Sequence, residues 1–415
     1  MLVTIRSNWA LLVGIGLLML GHGLQGTLLG VRAVIENFSS ATTGIVMSGY
    51  SLGFLASAVI TQKLVRHVGH VRVFAALASV ASSAILLHSV QAEPFTWFIL
   101  RFITGFCMSG VYVIAESWLN ASTDNQHRGQ LLSIYMVVQL SAWACGQLLL
   151  NLDDPASFGL FIIVSVLVSL AVVPLLLSAV PTPVVSAPSK FSLGDLYHTS
   201  PLGCIGMVAV GVSQGSFYSM AAVFARNIGF TVADISMMLA VATFGGMLLQ
   251  WPIGQLSDKL DRRTVLTVVT LVASLALALA LLLGLDDPLS LSVAFFVYGG
   301  MCLPMYALCI AHTNDYLDSD QMIGASSTLV FASGLGMVAG PLIVGQLMSV
   351  LTPFAFLAFI SIVHGALGLF AIYRSRVRSS VPLDAQGQYV YIPTAAPTVM
   401  VTSIAQEEAA EQLDS

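Results

Sequence analysis

The sequence predicts an all-α membrane protein whose twelve transmembrane helices form two six-helix bundles. Composition is the first reason. Of 415 residues, 57% are hydrophobic and only 8% are charged. A water-soluble chain of that length has too little interior to hide so much apolar surface, so the bilayer must act as its solvent. Spacing is the second reason: apolar runs of about 20 residues, long enough to cross a hydrocarbon core, recur along the chain. The third is charge, because Lys and Arg collect between alternate runs, as in chains that cross a membrane repeatedly.

The first six runs fall near 8–29, 42–62, 71–90, 95–116, 130–150 and 156–178. The second six fall near 201–223, 234–256, 264–284, 289–311, 323–349 and 354–373. Residues 1–179 are therefore expected to form an N-terminal bundle and 201–374 a C-terminal one. Between them, 180–200 is rich in Pro, Ser and Thr and reads as a cytoplasmic linker. The stretch 375–415 is polar, ends acidic and reads as a disordered cytoplasmic tail, a docking role being the less favoured alternative. The opening run is too long for a cleaved leader and reads as the first span. With the N-terminus in the cytoplasm, Arg6, Lys63, Arg66, Arg72, Arg128, Lys190, Lys259, Arg262, Arg263, Arg374, Arg376 and Arg378 share that side. Arg32 and Arg226 face the other side, and Arg101 lies within a span. Both termini are expected inside. The five cysteines fall in apolar runs without metal-ligand spacing and read as buried packing residues. Gly340-Pro341 predicts a kink in the eleventh span.

The halves resemble each other. Gly53 and Gly245 are 192 residues apart, and the same offset lays Gln62–His70 over Gly254–Arg262. Gln25-Gly26 and Gln214-Gly215 sit at similar depth in the first span of each half. Ala115-Glu116 and Ala311-His312 end the fourth. Parallel six-helix repeats are a transporter architecture, with substrate held near the midplane between the halves.

The stretch Gln250–Arg263 places five charges between two membrane-length runs, which predicts a tight turn at a membrane face. Its core, Gly254-Gln255-Leu256-Ser257-Asp258-Lys259-Leu260-Asp261-Arg262-Arg263, resembles the signature loop of the major facilitator superfamily, G-x-L-x-D-R-x-G-R-R. Asp261 replaces the second Gly of that pattern. The better copy also lies in the second half, where the family keeps the weaker one. In the first half Arg66 stands where Asp258 stands, while Gly69 keeps the Gly. Ala115–Asn120, Arg66–Phe74 and Ala311–Asp315 resemble a bacterial subgroup whose substrate is unassigned. The resemblance runs from residue 1 to about 378. It implies the major facilitator fold and solute transport. It also implies that inner-face charges act as a state-dependent latch. The gate residues by that reading are Arg66, Gly69, Glu116, Arg128, Gly254, Asp258, Lys259, Arg262 and Arg263, with His312, Asn314 and Asp315 in the corresponding place of the second half. A positive-inside anchor and a purely structural interface pair are the plainer alternatives.

Arg101 is the first candidate for substrate or coupling contact. An intramembrane Arg is costly, so it should face the bundle interior with a partner, unless it snorkels to the interface. Arg101-Phe102-Ile103-Thr104-Gly105 also resembles the family's fourth-helix R-x-x-x-G motif. His22 should sit about 21 Å along the first span, near the depth of Arg101, where it either titrates near neutral pH or packs as a satisfied polar residue. Gln25 lies one turn further. Gln139 and Gln214 join the list because a polar amide facing lipid is unfavourable, as do Tyr50, Tyr135, Trp143, Gln147, Tyr218, Gln250, Tyr298 and Tyr306. No Asp or Glu lies deep in any run. The cavity should therefore be net positive and favour an anionic or zwitterionic solute, unless Arg101 pairs with a terminal acid such as Glu36.

The expectation is a monomeric secondary transporter in a bacterial inner membrane, moving a small organic solute by alternating access. Proton coupling and a facilitator without it are both open. A polytopic enzyme needs clustered acid, base or metal-ligating groups, and the sequence offers none; a polytopic sensor is supported only by the long tail. No cofactor, metal or nucleic-acid partner is expected.

Overall fold

The computed structural model describes residues 8–121, 125–177, 191–382, 386, 387 and 389. Among the described residues there are twelve long helices and no strand. They are α1 (Trp9–Ile35), α2 (Ser40–Val68), α3 (His70–Val90), α4 (Pro94–Ala121), α5 (Asn125–Leu148) and α6 (Gly159–Leu177). The second set is α7 (Pro201–Asn227), α8 (Val232–Lys259), α9 (Arg262–Leu282), α10 (Pro288–Asn314), α11 (Ser319–Val350) and α12 (Ala355–Val377). Eleven of them are long and apolar enough to cross a membrane; α2, with 29 residues, completes the twelve. Large apolar side chains such as Leu170, Ile362 and Leu369 stand exposed along the helices, the expected arrangement where lipid is the solvent.

Short polar side chains cap helix starts. Ser39 accepts from the Thr42 N–H at the start of α2, and Asp287 accepts from the Ser290 N–H ahead of Pro288 at the start of α10. Each satisfies one of the N–H groups a helix start leaves unpaired. In the segment expected as a linker, a seven-residue helix, Leu193–Thr199, is held by a Ser192/Asp195 capping box.

The repeat seen in the sequence extends to backbone and side chains. Asn37 turns α1 into α2 at φ 60°, and Gly229 turns α7 into α8 at φ 93°; 229 − 37 is the same offset of 192 residues. Ser82 Oγ lies 2.6 Å from Ser165 Oγ between α3 and α6, and Ser274 Oγ donates to the Ser361 carbonyl at 2.7 Å between α9 and α12; 274 − 82 is again 192. Glycines bring α2 and α4 into contact: a Cβ on Gly49 would stand 2.8 Å from the Phe98 carbonyl oxygen, and one on Gly53 or Gly105 would strike Phe102 or Tyr50 backbone. Gly245 and Gly299 do the same between α8 and α10. Between helices in lipid the driving force is close packing, so small residues at the contact are what permits it.

Contacts divide the chain into two units that do not follow chain order. One holds Met1–Ser186, Tyr218–Ala240 and Pro341–Pro353; the other holds Ala187–Phe217, Val241–Gly340 and Phe354–Ser415. Two further details differ from the sequence reading. α8 continues as helix through Pro252 to Lys259, so the charged turn is only Leu260 and Asp261. Cys145 is exposed, while Cys107, Cys204, Cys302 and Cys309 are buried.

Candidate functional site

In the first unit the α2–α4 contact sets up the chemistry. With Gly105 against the Tyr50 backbone and Gly49 beside the Cβ of Arg101, the Tyr50 ring comes to lie under the guanidinium, 4.5 Å from Cζ to centroid. That geometry is a cation–π contact. The Arg101 side chain is only 5% exposed. No acid pairs with it among the described residues; Glu36, the partner that sequence reasoning allowed, is instead bound to Arg32 at 2.6 Å. Arg101 Nε is buried without a hydrogen-bond partner.

His22 stands beside the same tyrosine. Its ring lies 5.4 Å from those of Tyr50 and Trp143, and Trp143 lies 4.7 Å from Tyr218. α1 can approach α5 here because position 23 is glycine; a Cβ there would overlap the Trp143 backbone. Gln25 follows His22 by three residues and Gln139 precedes Trp143 by four, so each shares a helix face with its neighbour. His22 Nδ1, Gln25 Nε2 and Gln139 Oε1 are buried with no partner. A cation and three further unpaired polar atoms on a set of aromatic rings make a place that can bind an anionic group and stack a flat or apolar body.

Gln214, the fifth candidate, lies in the other unit and donates from Nε2 to the Cys302 carbonyl at 3.3 Å. Next to it is a network that the sequence reading missed. Ser213 Oγ lies 2.7 Å from both Tyr298 Oη and His364 Nε2, and 3.9 Å from Cys302 Sγ. His364 sits inside the last apolar run. The rule that singled out His22, a titratable group within a span, applies to it equally.

The charged turn lies at one end of the second unit. Asp261 accepts from the Arg263 N–H and so caps α9. This accounts for Asp where the family pattern has Gly. Gly69, at the matching position of the first half, adopts φ 91°, whereas Asp261 has φ −55° and needs no glycine. Arg263 pairs with Asp261 at 3.1 Å and donates to the Arg378 carbonyl at 2.6 Å. Arg262 pairs with Asp315, just past α10, at 3.3 Å, and lies 4.0 Å from Asp258. Both members of the Arg262–Asp315 pair are buried. Burial pushes the Asp315 carboxyl up to about 6, against the pull of Arg262 and the Gly387 N–H. Lys259 and Arg66 are exposed. The side chains of Glu116 and Arg128 lie outside those described. Sequence reasoning also missed the described part of the tail. The Tyr389 N–H donates to Asp258 Oδ1 at 2.7 Å, the Gly387 N–H to Asp315 Oδ1 at 3.3 Å, and Arg262 donates to the Gly387 carbonyl. A Gly-x-Tyr in a polar stretch carries no signal of such a contact.

A repeated bundle of membrane-length helices, with a guanidinium buried on an aromatic ring in one unit and a charged cluster at helix ends in the other, is the architecture of a membrane transporter. The family model of the Major Facilitator Superfamily matches residues 11–202 and 202–406, and the chain belongs to that family. Among curated proteins it is similar to the uncharacterized MFS-type transporter YcaD of Escherichia fergusonii and of Salmonella typhimurium strain LT2. Each is 26% identical over 345 residues, 83% of this chain and 89% of the relative. Among solved structures it is similar to the nucleoside transporter NupG, with TM-score 0.73 and 13% identity over 88% of this chain and 98% of that one. It is also similar to a bacterial homolog of the human lysosomal transporter Spinster in an inward-facing, unoccupied conformation. There the TM-score is 0.64 and identity 16%, over 97% and 96% of the two chains. At those identities the solved structures bear on the fold alone.

Proposed function

We propose that this transporter is a secondary porter that carries a small organic anion or zwitterion across a bacterial inner membrane by alternating access. It acts as a monomer with both termini in the cytoplasm. The supporting observation is Arg101: a buried guanidinium stacked on Tyr50 with no acid beside it among the described residues. A buried cation is expensive, and an anionic solute is the partner that would offset it. His22, on the same rings, is the group through which a proton would be coupled, and Gln25 and Gln139 would orient the solute. Gln214 is the polar candidate of the second repeat, within its own unit. The bundle boundaries at 179 and 201, and the gating role of Arg66, Gly69, Glu116, Arg128, Gly254, Asp258, Lys259, Arg262 and Arg263, belong to the same proposal.

The test is a thermal-shift panel of carboxylates, amino acids, phosphorylated metabolites and neutral analogues on the purified protein, because a ligand that binds the folded state raises its melting temperature. Anionic or zwitterionic compounds should shift wild type and not Arg101→Gln. Shifts confined to neutral compounds, or equal in both proteins, would remove Arg101 from recognition. Uptake of a hit into proteoliposomes with and without a pH gradient then separates proton coupling from facilitation.

A further inference from the structure

The charges of the α8–α9 turn are already engaged by the chain's own C-terminal segment. Gly387 sits at the Arg262–Asp315 pair: its N–H goes to Asp315 and its carbonyl takes a hydrogen bond from Arg262. Two residues on, the Tyr389 N–H is held by Asp258. The Tyr389 ring lies over Gly254, where an added Cβ would come within 2.6 Å of two ring carbons. Gly254 is buried although it is near the end of α8. The segment thus touches three helices of its unit at their charged ends: α8 through Gly254 and Asp258, α9 through Arg262, and α10 through the adjoining Asp315.

We infer that Gly254, Asp258, Arg262 and Asp315 form a docking surface for the segment around Gly387 and Tyr389, which acts as a strap across the ends of α8, α9 and α10. The chemistry selects the occupant. A carboxylate, a buried guanidinium and a second carboxylate in sequence match a backbone that offers N–H, C=O and N–H in turn, and such charge-assisted bonds are stronger than neutral ones. Position 387 carries no side chain to obstruct the pair, and position 254 leaves a slot that a flat ring fills. While the strap is seated, Asp258, Arg262 and Asp315 are occupied. Any other segment that pairs with them has to displace it. The strap therefore limits when this end of the unit can rearrange. This inference does not depend on the substrate proposed above.

Hydrogen–deuterium exchange on the full chain in detergent tests it, because amides held by a carboxylate exchange only when the contact opens. In wild type, the Gly387 and Tyr389 amides should exchange at least about tenfold more slowly than free amides, the mark of a contact closed most of the time. Gly254→Ala expels the ring, and Asp258→Asn removes the charged acceptor. Gly254→Ala should release Tyr389 to the free rate, Asp258→Asn, whose amide oxygen still accepts, should weaken its protection, and both should speed exchange over 255–263, whereas Arg376→Gln, on the exposed end of α12, should change neither. If Gly254→Ala fails to fold, Gly387→Pro serves instead. It removes the donor to Asp315 from a position beyond the last helix, and the Tyr389 amide is read. Free exchange of the segment in wild type overturns the inference, as does protection that survives Gly254→Ala or Gly387→Pro. Release of the segment with no change over 255–263 overturns the strap and leaves only a passive contact.

Discussion

Replacing Asp315 with Asn should leave the protein as stable as wild type, or more so, at pH 8. The reason lies in the balance around this carboxylate. Arg262 stands 3.3 Å away and favours the ionised form, yet burial outweighs it and raises the carboxyl from 3.8 to about 6. A carboxyl whose pKa is raised on folding binds its proton more tightly in the native chain than in the unfolded one. Its ionised form is therefore a burden on the fold. The burden is present in full above about pH 6, fades as pH falls through that value, and is gone below 3.8. A rise of that size bounds the burden at ~3 kcal/mol, and relaxation of the surrounding groups should reduce what is observed. Asn approximates the protonated carboxyl, so Asp315→Asn should gain up to that amount at pH 8 and little at pH 4.

Arg262→Gln should do the opposite. It strands a buried carboxylate, at a cost of about 3–5 kcal/mol at pH 8, relieved by protonation of Asp315 toward pH 5. The assay is thermal unfolding of wild type and both variants at pH 8 and pH 5, taking the difference of differences so that other titrating groups cancel. If Asp315→Asn loses more stability at pH 8 than at pH 5, the Arg262–Asp315 pair is net stabilising and the reasoning is wrong. If it does not, the pair is kept for what it holds in place, which includes Gly387.

Two predictions concern the helix contacts beneath the sites. Gly105→Val should push α4 away from the Tyr50 backbone, which any Cβ at 105 would strike. The overpacking should cost about 1–3 kcal/mol in thermal unfolding and loosen ligand binding at Arg101 as well; normal ligand affinity in a folded variant would separate that interface from the site. Ser213→Ala removes the hydroxyl 2.7 Å from both Tyr298 and His364 and should destabilise by about 1–3 kcal/mol; a neutral result would mean that the buried network contributes nothing to folding.

Much of the fold was legible because lipid imposes length and apolarity on every span, and those are linear properties of a sequence. The repeat was legible too, since the offset of 192 that aligns Gly53 with Gly245 also aligns the charged turns. What escaped depended on three-dimensional neighbours. Position 261 read only as a departure from the family pattern until its carboxylate was seen capping α9. Trp143 was one of many polar or aromatic residues within spans, and only the Gly23 contact with α5 puts it beside His22. The tail read as disordered because its composition is polar. Composition says nothing of two residues, Gly387 and Tyr389, whose backbone groups match a row of charges.

The repeat also allows an argument about Arg101 that neither half allows alone. Gly105 and Gly299 make matching contacts in their units, and 299 − 105 equals 295 − 101, an offset of 194. The counterpart of Arg101 is therefore Phe295. In the second unit that position closes into an aromatic cluster, with Phe295 5.4 Å from Phe217 and 6.4 Å from Phe356. The scaffold can thus complete itself with an apolar ring at this site, and a cation is not a demand of the fold. Insertion scales put an Arg at mid-span about 2.5–3.5 kcal/mol uphill, so keeping one needs another cause, and the proposed contact with an anionic solute would supply it. Arg101→Phe should accordingly fold, melt at or above the wild-type temperature, and fail to respond to any anion that shifts wild type. A variant that unfolds would show that Arg101 is structural. One that folds and still responds to the same anions would move recognition to other residues.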